Sequence, residues 1–421
     1  MTEEFLHYIW KYRLYKPDLH LTSGEEVIVI HPGDHNLDSG PDFFNARVKI
    51  GPTLWAGNVE IHVTSSDWIR HKHHDDKAYD NVILHVVYEC DKDLQGKHPL
   101  PTLELKNYVS KESWKLYLKF MSELNWIPCE KQFASVEPVV ITSWLERLLV
   151  ERLERKAEGV LQALSALAND WNQAFYRLLA RTMGFKLNNQ AFEQLASSLS
   201  YTQLCRHADN LEQVEALIFG QAGFLNSEFQ DTYAVWLKKE YDFLRRKFSL
   251  TCMDVHLWKF MRIHPGNFPT IRLSQFAAII HNGNGRLMNI MEANDTAALM
   301  ELFNVTASEY WKSHLRFDKP SHFAERRLGS EAMNLLVINV VAPFLFIYGQ
   351  KKKNSTLMQR AITILDNLKS ENNSVIRKWK SLGIEPPSAS QSQALLELKS
   401  NNCDKKKCLS CRIGINLLKV V

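Results

Sequence analysis

Residues 39–62 read SGPDFFNARVKIGPTLWAGNVEIH, and this stretch decides how the first part of the chain folds. FFNARVKI and LWAGNVEIHV are rich in β-branched and aromatic residues, which predicts two strands separated by Gly-Pro turns. Alternate side chains of a strand share a face, so Glu60 and His62 point the same way and the intervening apolar residues face a core.

Further strands and one helix flank this pair. EEVIVI at 25–30 and NVILHVVYE at 81–89 predict strands, and residues 1–15 have the pattern of an amphipathic helix. The polar stretch between Ser66 and Asp80 is typical of a loop or short helix. The sequence therefore predicts an α/β sheet module with the order α-β-β-β-α-β.

From about residue 110 the pattern becomes helical. SWLERLLVERLERKAEGVLQAL at 143–164 repeats apolar residues every three or four positions, and similar stretches continue almost to the end. We expect an α+β protein, with a small sheet module followed by a large all-α region. The expected domains are residues 1–130, a helical domain at 131–400 and a cysteine-containing basic tail at 401–421.

Composition excludes several classes of protein. The 421 residues are 45% hydrophobic and 23% charged, and eleven Trp, thirteen Tyr and twenty-one Phe exclude disorder over most of the length. No apolar run approaches the roughly 18 residues of a membrane span, so we expect no membrane association. Seven Cys and a start without the order of a signal peptide indicate a reducing cytoplasm. Net charge +4 does not by itself imply a nucleic-acid partner.

Histidine is concentrated near the start of the chain. Ten of the sixteen His lie in the first 100 residues, and seven of these fall between His31 and His85 among many carboxylates. Such a cluster has the chemistry of a divalent-metal site. Solvated loop histidines are the alternative explanation.

Asp42 and Glu60 are the first candidate metal ligands. Adjacent antiparallel strands would bring the two carboxylates about 4–6 Å apart, where they repel unless they share a cation such as Mg²⁺ or Mn²⁺. On a helix, His71 and Asp75 would be i,i+4 neighbours and possible further ligands. His85 alternates with apolar residues on its strand, and a hydrogen-bonded core histidine is the favoured interpretation.

Pro41-Asp42 and Glu60-Ile61-His62 resemble the motif of the PD-(D/E)xK nuclease superfamily, which has an α-β-β-β-α-β core. The resemblance implies that Asp42 and Glu60 hold a divalent metal and that a leading-helix Glu, Glu3 or Glu4, adds to the site. His62 stands where the superfamily has the Lys that positions the attacking water. A neutral His can act as a base or a ligand, but it lacks the constant charge of Lys.

The chain as a whole also resembles the DUF2851 family of bacterial proteins. The strings that carry this resemblance run nearly from end to end: SGPDFFNARVKI, GNVEIHVTSSDW, EALIFGQAGFL, RIHPGNFPTIRLSQFA, YWKSHLRF and CLSCRIG. Membership implies no activity.

The tail contains a second candidate metal site. Cys403, Cys408 and Cys411 supply three thiolates, and Cys129 is the candidate for a fourth ligand of zinc or an iron–sulfur cluster. Some helicase-nucleases of the PD-(D/E)xK type join a distant cysteine to a late trio in this way. The alternative is three reduced cysteines in a basic tail.

Basic residues suggest where nucleic acid would bind. The guanidinium group of Arg can donate two hydrogen bonds to one phosphate, and Lys adds positive charge. The candidates are Arg262, Arg272, Lys405, Lys406, Lys407 and Arg412. The first hypothesis is a Mg²⁺- or Mn²⁺-dependent nuclease in which Asp42 and Glu60 bind the metal and His62 orients the water. The alternatives are a non-catalytic nucleic-acid-binding or interaction protein and a hydrolase of a small phosphoester. The sequence does not specify the oligomeric state.

Overall fold

The computed structural model describes residues 1–94, 100–283, 287–293 and 295–419, and within them the chain forms two compact units. Unit 1 comprises residues 1–144 together with 398–421, and unit 2 comprises residues 145–397. The sequence placed a boundary near residue 130 and set residues 401–421 apart as a tail. In the structure the first unit extends to residue 144 and includes that tail.

The described part of unit 1 is built around a seven-stranded sheet. Its strands are β1 (Leu19–His20), β2 (Glu26–His31), β3 (Asp34–His35), β4 (Phe43–Ile50), β5 (Thr53–Thr64), β6 (Val82–Glu89) and β7 (Thr102–Glu104). The spatial order is β1-β2-β4-β5-β6-β7, and β3 pairs with β4. Pairing is antiparallel as far as β5 and parallel from β5 to β7. The sheet is therefore mixed.

Helices account for most of the remaining chain. In chain order they are α1 (Glu3–Lys11), α2 (Asp67–Arg70), α3 (Lys111–Ser122), α4 (Pro138–Ala166), α5 (Trp171–Met183), α6 (Asn189–Ser198), α7 (Tyr201–Cys205), α8 (Leu211–Gln221), α9 (Thr232–Phe248), α10 (Pro269–His281), α11 (Leu287–Glu292), α12 (Thr296–Leu302), α13 (Glu309–Ser313), α14 (Ser330–Leu336), α15 (Ala342–Lys351), α16 (Ser355–Asn367), α17 (Ser374–Ser381), α18 (Ala389–Glu397) and α19 (Arg412–Lys419). Two short strands, β8 (His314–Arg316) and β9 (Lys319–Pro320), pair with each other. The prediction of a sheet module followed by a mostly helical region is confirmed.

Helix α1 is fixed against the sheet of unit 1. Its N-cap Thr2 accepts a hydrogen bond from the Phe5 amide, and the apolar side of the helix buries Phe5, Ile9 and Trp10 completely or nearly so. The helix packs against β5, so the polar residues on its other side are carried to the edge of that strand.

The C-terminal segment is part of the core of unit 1. The Tyr8 hydroxyl of α1 donates to the Ile415 carbonyl at 3.3 Å, and the Ser113 hydroxyl of α3 donates to the Leu418 carbonyl at 3.0 Å. Ile413 and Leu418 are 1% exposed. Because α19 buries its apolar side, the last residues fold with the first ones instead of forming a separate tail.

The helices of unit 2 surround a closely packed core. Where α8 meets α9, a Cβ built on Gly220 would lie 2.0 Å from the ring of Tyr241. Only a residue without a side chain permits this approach. The buried Glu215 on the same helix α8 is satisfied by the hydroxyls of Tyr233 and Ser274.

One continuous helical stretch of unit 2 is long and apolar enough to cross a membrane. It spans Ser330–Lys351, and its most apolar 18-residue window has a mean hydropathy of 1.9, so the expectation that no segment approaches this length and composition was wrong. However, 72% of its most apolar window is buried inside the protein. The core helix of a soluble protein has the same character, and this burial is consistent with a soluble protein.

Candidate functional site

The connection between β5 and β6 frames the candidate site. These strands are parallel, so the chain must cross over between them, and residues 65–81 make that crossover. α2 ends at Arg70, and Lys72 then adopts a left-handed conformation with φ 62° before a 3-10 turn at His73–Asp75. Because the chain reverses at Lys72, the rings of His71 and His73 both lie close to the His62 ring, although only one residue separates them in the sequence.

Asp42 and Glu60 are locked together by the backbone. The Asp42 amide donates to Glu60 Oε2 at 3.1 Å, and the Ile61 amide donates to Asp42 Oδ2 at 2.9 Å. The register of β4 against β5 shifts between Phe43 and Ala46, which is the mark of a β-bulge next to Asp42. The sequence-predicted pairing of the two carboxylates on neighbouring strands therefore has a structural basis.

His62 lies at the centre of a chain of imidazoles. Its Nδ1 is 2.8 Å from His85 Nε2, and its Nε2 is 3.1 Å from His71 Nδ1. His62 Nε2 is also 3.5 Å from Glu60 Oε1. His62 is 2% exposed and His85 is fully buried, so the sheet holds both rings rigidly.

Three histidines meet at a distance suited to one metal ion. His62, His71 and His73 each offer a ligand atom, and these atoms lie within 4.8 Å of one another. Glu60 Oε1 is next to them, 3.2 Å from His73 Nε2. We call Asp42, Glu60, His62, His71 and His73 the histidine–carboxylate cluster.

Two further contacts in this region are close without being hydrogen bonds. His73 Nε2 lies 3.2 Å from Glu60 and His7 Nε2 lies 3.1 Å from Asp42, yet both buried nitrogens have no hydrogen-bond partner within the described residues. A buried polar atom without a partner is costly. A cation near these nitrogens would give them the partner that they lack.

Burial sets the protonation of the cluster. It raises the pKa of Glu60 to about 8, and the neighbouring Asp42 carboxylate adds to this rise. Burial also lowers the pKa of His62 and of His85 to about 3 and lowers that of His73. His62, His73 and His85 are therefore neutral at pH 7, and a neutral imidazole keeps a lone pair for a metal.

Two residues predicted as additions to the site lie elsewhere. Asp75 is exposed and its Oδ2 is 3.4 Å from His74, because α2 ends too early for the i,i+4 pairing with His71. Glu4 is exposed and interacts with Tyr117 of α3. Its neighbour Glu3 instead interacts with Asp42 and His71, and burial raises its pKa.

His7 and His73 were not predicted as site residues. His7 follows Glu3 by four residues on α1, so both lie on one side of that helix, and this spacing was a usable signal. His73 had no such signal, because its position depends on the left-handed turn at Lys72.

The four candidate thiols all belong to unit 1. Cys129, Cys408 and Cys411 are buried. Burial raises the pKa of Cys129 and of Cys403, and it raises the pKa of Cys408 to about 12. In all three cases the neighbouring thiols add to the rise. Burial also raises the pKa of Cys411. Their mutual influence indicates proximity, but among the described residues no three thiols meet the 4.8 Å distance of the histidines.

The basic residues predicted to bind nucleic acid have different environments. Lys405, Lys406, Lys407 and Arg412 are exposed in unit 1, and Arg262 is exposed in unit 2. Arg272 is only 5% exposed and donates to Gln275 and Asn267, so it is not part of an open surface.

The model of a family described as proteins of unknown function, DUF2851, matches residues 3–374. No curated protein and no solved structure matches the chain. The match covers most of the sequence and agrees with the strings that run through both units. The chain therefore belongs to the DUF2851 family.

Proposed function

We propose that the histidine–carboxylate cluster binds a divalent metal ion and that the chain is a metal-dependent nuclease of the PD-(D/E)xK type. The observation that supports this most is the approach of His62, His71 and His73 to within 4.8 Å beside the Glu60 carboxylate. Asp42 and Glu60, which lie in this cluster, are the two carboxylates that match the PD-(D/E)xK motif.

The donor set fits a transition metal better than magnesium. Neutral imidazoles suit Zn²⁺, Mn²⁺ and related ions, whereas Mg²⁺ prefers oxygen ligands. His62, His71, His73 and Glu60 would be the ligands. His85, which contacts the other nitrogen of His62, would hold that ring in position.

A bound ion of this kind lowers the pKa of its water and neutralises charge on a phosphodiester. Asp42 accepts the Ile61 amide and faces His7, so its remaining lone pairs are positioned to orient a water. His62 is buried and neutral, so it supplies a lone pair in place of the lysine charge of the superfamily. The phosphate charge must then be balanced by the metal.

The second candidate function is a non-catalytic nucleic-acid-binding protein. Two observations favour it. His62 occupies the lysine position of the motif, and Lys405, Lys407 and Arg412 are exposed and form no ion pair with any described residue. Such charges would contact phosphates without cleaving them.

The four thiols are proposed to hold a metal in unit 1. Zinc and an iron–sulfur cluster both take thiolate ligands, and the mutual influence of the four thiols on their pKa values supports either metal. We also propose a reducing cytoplasmic location, because an odd count of seven cysteines argues against full pairing in disulfides.

The test is cleavage of plasmid DNA, single-stranded DNA, RNA and bis-p-nitrophenyl phosphate with Mg²⁺, Mn²⁺, Zn²⁺ or a chelator. We expect activity with a transition metal that is lost in His71→Ala/His73→Ala. The matched control is His74→Ala, because His74 is exposed and directly follows His73 in the chain. Cleavage of the small diester alone would support the small-phosphoester alternative, and nucleic-acid binding without cleavage would support the second candidate. Equal activity in the double variant would refute the proposed site.

A further inference from the structure

A cavity of about 240 Å³ lies within unit 2 at the start of α10. Its wall is formed by residues 183–188, which follow α5, and by the loop that runs from Arg262 to Pro269. The basic side chains in the wall come from Lys186, Arg262, His264 and Arg272; Asn188 and Asn267 add amides, and Phe185 and Phe192 add aromatic surface. In the described part of the chain no carboxylate lines this cavity.

Arg272 is a buried charge for which the described residues supply no acidic partner. It is 5% exposed, and its hydrogen bonds go to the neutral oxygens of Gln275, at 2.9 Å, and Asn267, at 2.5 Å. Its Nε has no partner within the described residues. Burial lowers the pKa of Arg272 to about 10, and no acidic group acts against this effect. A buried charge normally has an oppositely charged partner, so an anion is missing from this environment.

The wall of the cavity is already ordered. The guanidinium of Arg272 lies 4.5 Å from the ring centre of Phe185, which fixes its plane. Asn188 and Lys259 exchange two hydrogen bonds of 2.8 and 3.0 Å, which tie the segment after α5 to the chain that leads into the loop. Binding would therefore require little rearrangement of the wall.

The ring nitrogen Nε2 of His264 is a hydrogen-bond donor. Its Nδ1 accepts the Gly266 amide at 3.2 Å, so in the neutral ring the proton is on Nε2. His264 lines the cavity together with Arg262 and Lys186, both of which carry only donors. The polar part of the wall thus offers N–H donors from four side chains of basic residues.

We propose that this cavity binds the phosphate group of a small phosphorylated molecule. Arginine forks and several N–H donors suit a dianionic phosphate, which has more acceptor oxygens than a carboxylate. The volume is below the roughly 300–1,000 Å³ of pockets for drug-sized ligands, so the ligand is a phosphate with a short apolar portion against the aromatic rings. This inference concerns unit 2 alone and is independent of the proposed nuclease site.

The test is calorimetric titration of the full chain with inorganic phosphate, phenyl phosphate and benzoate at fixed ionic strength. We expect saturable 1:1 binding of both phosphates and much weaker binding of benzoate. Tighter binding of phenyl phosphate than of inorganic phosphate would assign a phosphate monoester, and the reverse order would assign free phosphate as the ligand. Binding of benzoate as tight as that of phosphate would overturn the assignment to phosphate.

Variants connect the binding to the cavity. Arg272→Gln should weaken phosphate binding about tenfold or more, as expected for loss of a charged hydrogen bond. Arg360→Gln is the matched control, because Arg360 donates to the Ile290 and Met291 carbonyls and does not line the cavity. His264→Asn keeps an acceptor for the Gly266 amide and removes Nε2, so it tests the cavity even if Arg272→Gln does not fold. Unchanged affinity in a folded Arg272→Gln or in His264→Asn, or no saturable binding below about 10 mM, would refute the proposal.

Discussion

Replacing Glu60 with Gln should change the stability of the protein in opposite directions with and without metal. Glu60 is 5% exposed and accepts the Asp42 amide. Gln has the same shape and retains an oxygen for that amide, but it has no charge. The substitution therefore isolates the electrostatic role of the carboxylate from its packing.

The magnitude follows from the pKa of Glu60, which burial raises from 4.5 to about 8. Between these pH values the folded state binds a proton that the unfolded state has released, so the free energy of unfolding decreases as the pH rises. Each pKa unit corresponds to about 1.4 kcal/mol, which sets an upper limit of about 3 kcal/mol at pH 7. Without metal, Glu60→Gln should be more stable than the wild type by up to this amount at pH 7 and nearly equal to it at pH 4.

Metal should reverse the order. A ligand at 100 times its Kd stabilises the folded state by about 2.7 kcal/mol, and the variant lacks one of the proposed ligands. The assay is urea unfolding at pH 4, 7 and 8 with a chelator, and thermal unfolding at pH 7 with increasing Mn²⁺ or Zn²⁺. Asp75→Asn is the control, because this carboxylate is 71% exposed and lies outside the cluster.

Three results would count against this account of Glu60. If metal stabilises Glu60→Gln as much as the wild type, Glu60 is not a ligand. If the metal-free variant is no more stable than the wild type at pH 7, burial of the ionised Glu60 carboxylate does not destabilise the folded state. A metal effect that is lost in Asp75→Asn and kept in Glu60→Gln would favour the helical His71–Asp75 pair instead.

Three further predictions concern other parts of the molecule. The pKa of His85 is lowered from 6.5 to about 3, so between these pH values the unfolded state binds a proton that the folded state does not, and stability falls as the pH decreases. His85→Leu should reduce this loss of stability, measured by urea unfolding between pH 7 and 5. An unchanged dependence on pH would contradict the burial of a neutral His85 ring. Gly220→Ala should lower the free energy of unfolding of unit 2 by about 1–3 kcal/mol, because its Cβ would meet the Tyr241 ring, whereas Gly159→Ala, with open space around it, should be neutral or stabilising. Protein purified without oxygen should contain iron or zinc that is lost in Cys408→Ser/Cys411→Ser but retained in Cys205→Ser, and a metal-free wild type would show that the thiols are simply reduced.

The parts of the site that follow from local pattern were predictable. The alternation along β5 places Glu60 and His62 on one side, and Asp42 precedes the neighbouring strand. Parallel pairing of β5 with β6 then puts His85 beside Glu60. These relations depend on strand period and order, which a sequence expresses directly.

The rest depends on backbone geometry and long-range packing. The left-handed turn at Lys72 brings His73, rather than Asp75, to the cluster, and no residue type at that position announces it. A helix was expected at 330–348, but its length and apolar character were underestimated because Asn334 and Asn339 interrupt the apolar run while the mean hydropathy stays high. The fold of the last residues against α1 and α3 is set by contacts between distant parts of the chain.

The union of both chain ends in unit 1 constrains the order of events during synthesis. The Ile415 and Leu418 carbonyls that complete α1 and α3 are made only after the whole of unit 2 has been translated. At about 5–20 residues per second, the emerging sheet would wait roughly 10–50 s for its last helix. During that interval the apolar sides of α1 and α3 lack the partner that α19 provides. A nascent chain arrested before residue 398 should therefore bind chaperones and be cleaved by protease in its first 144 residues, although unit 2 is complete.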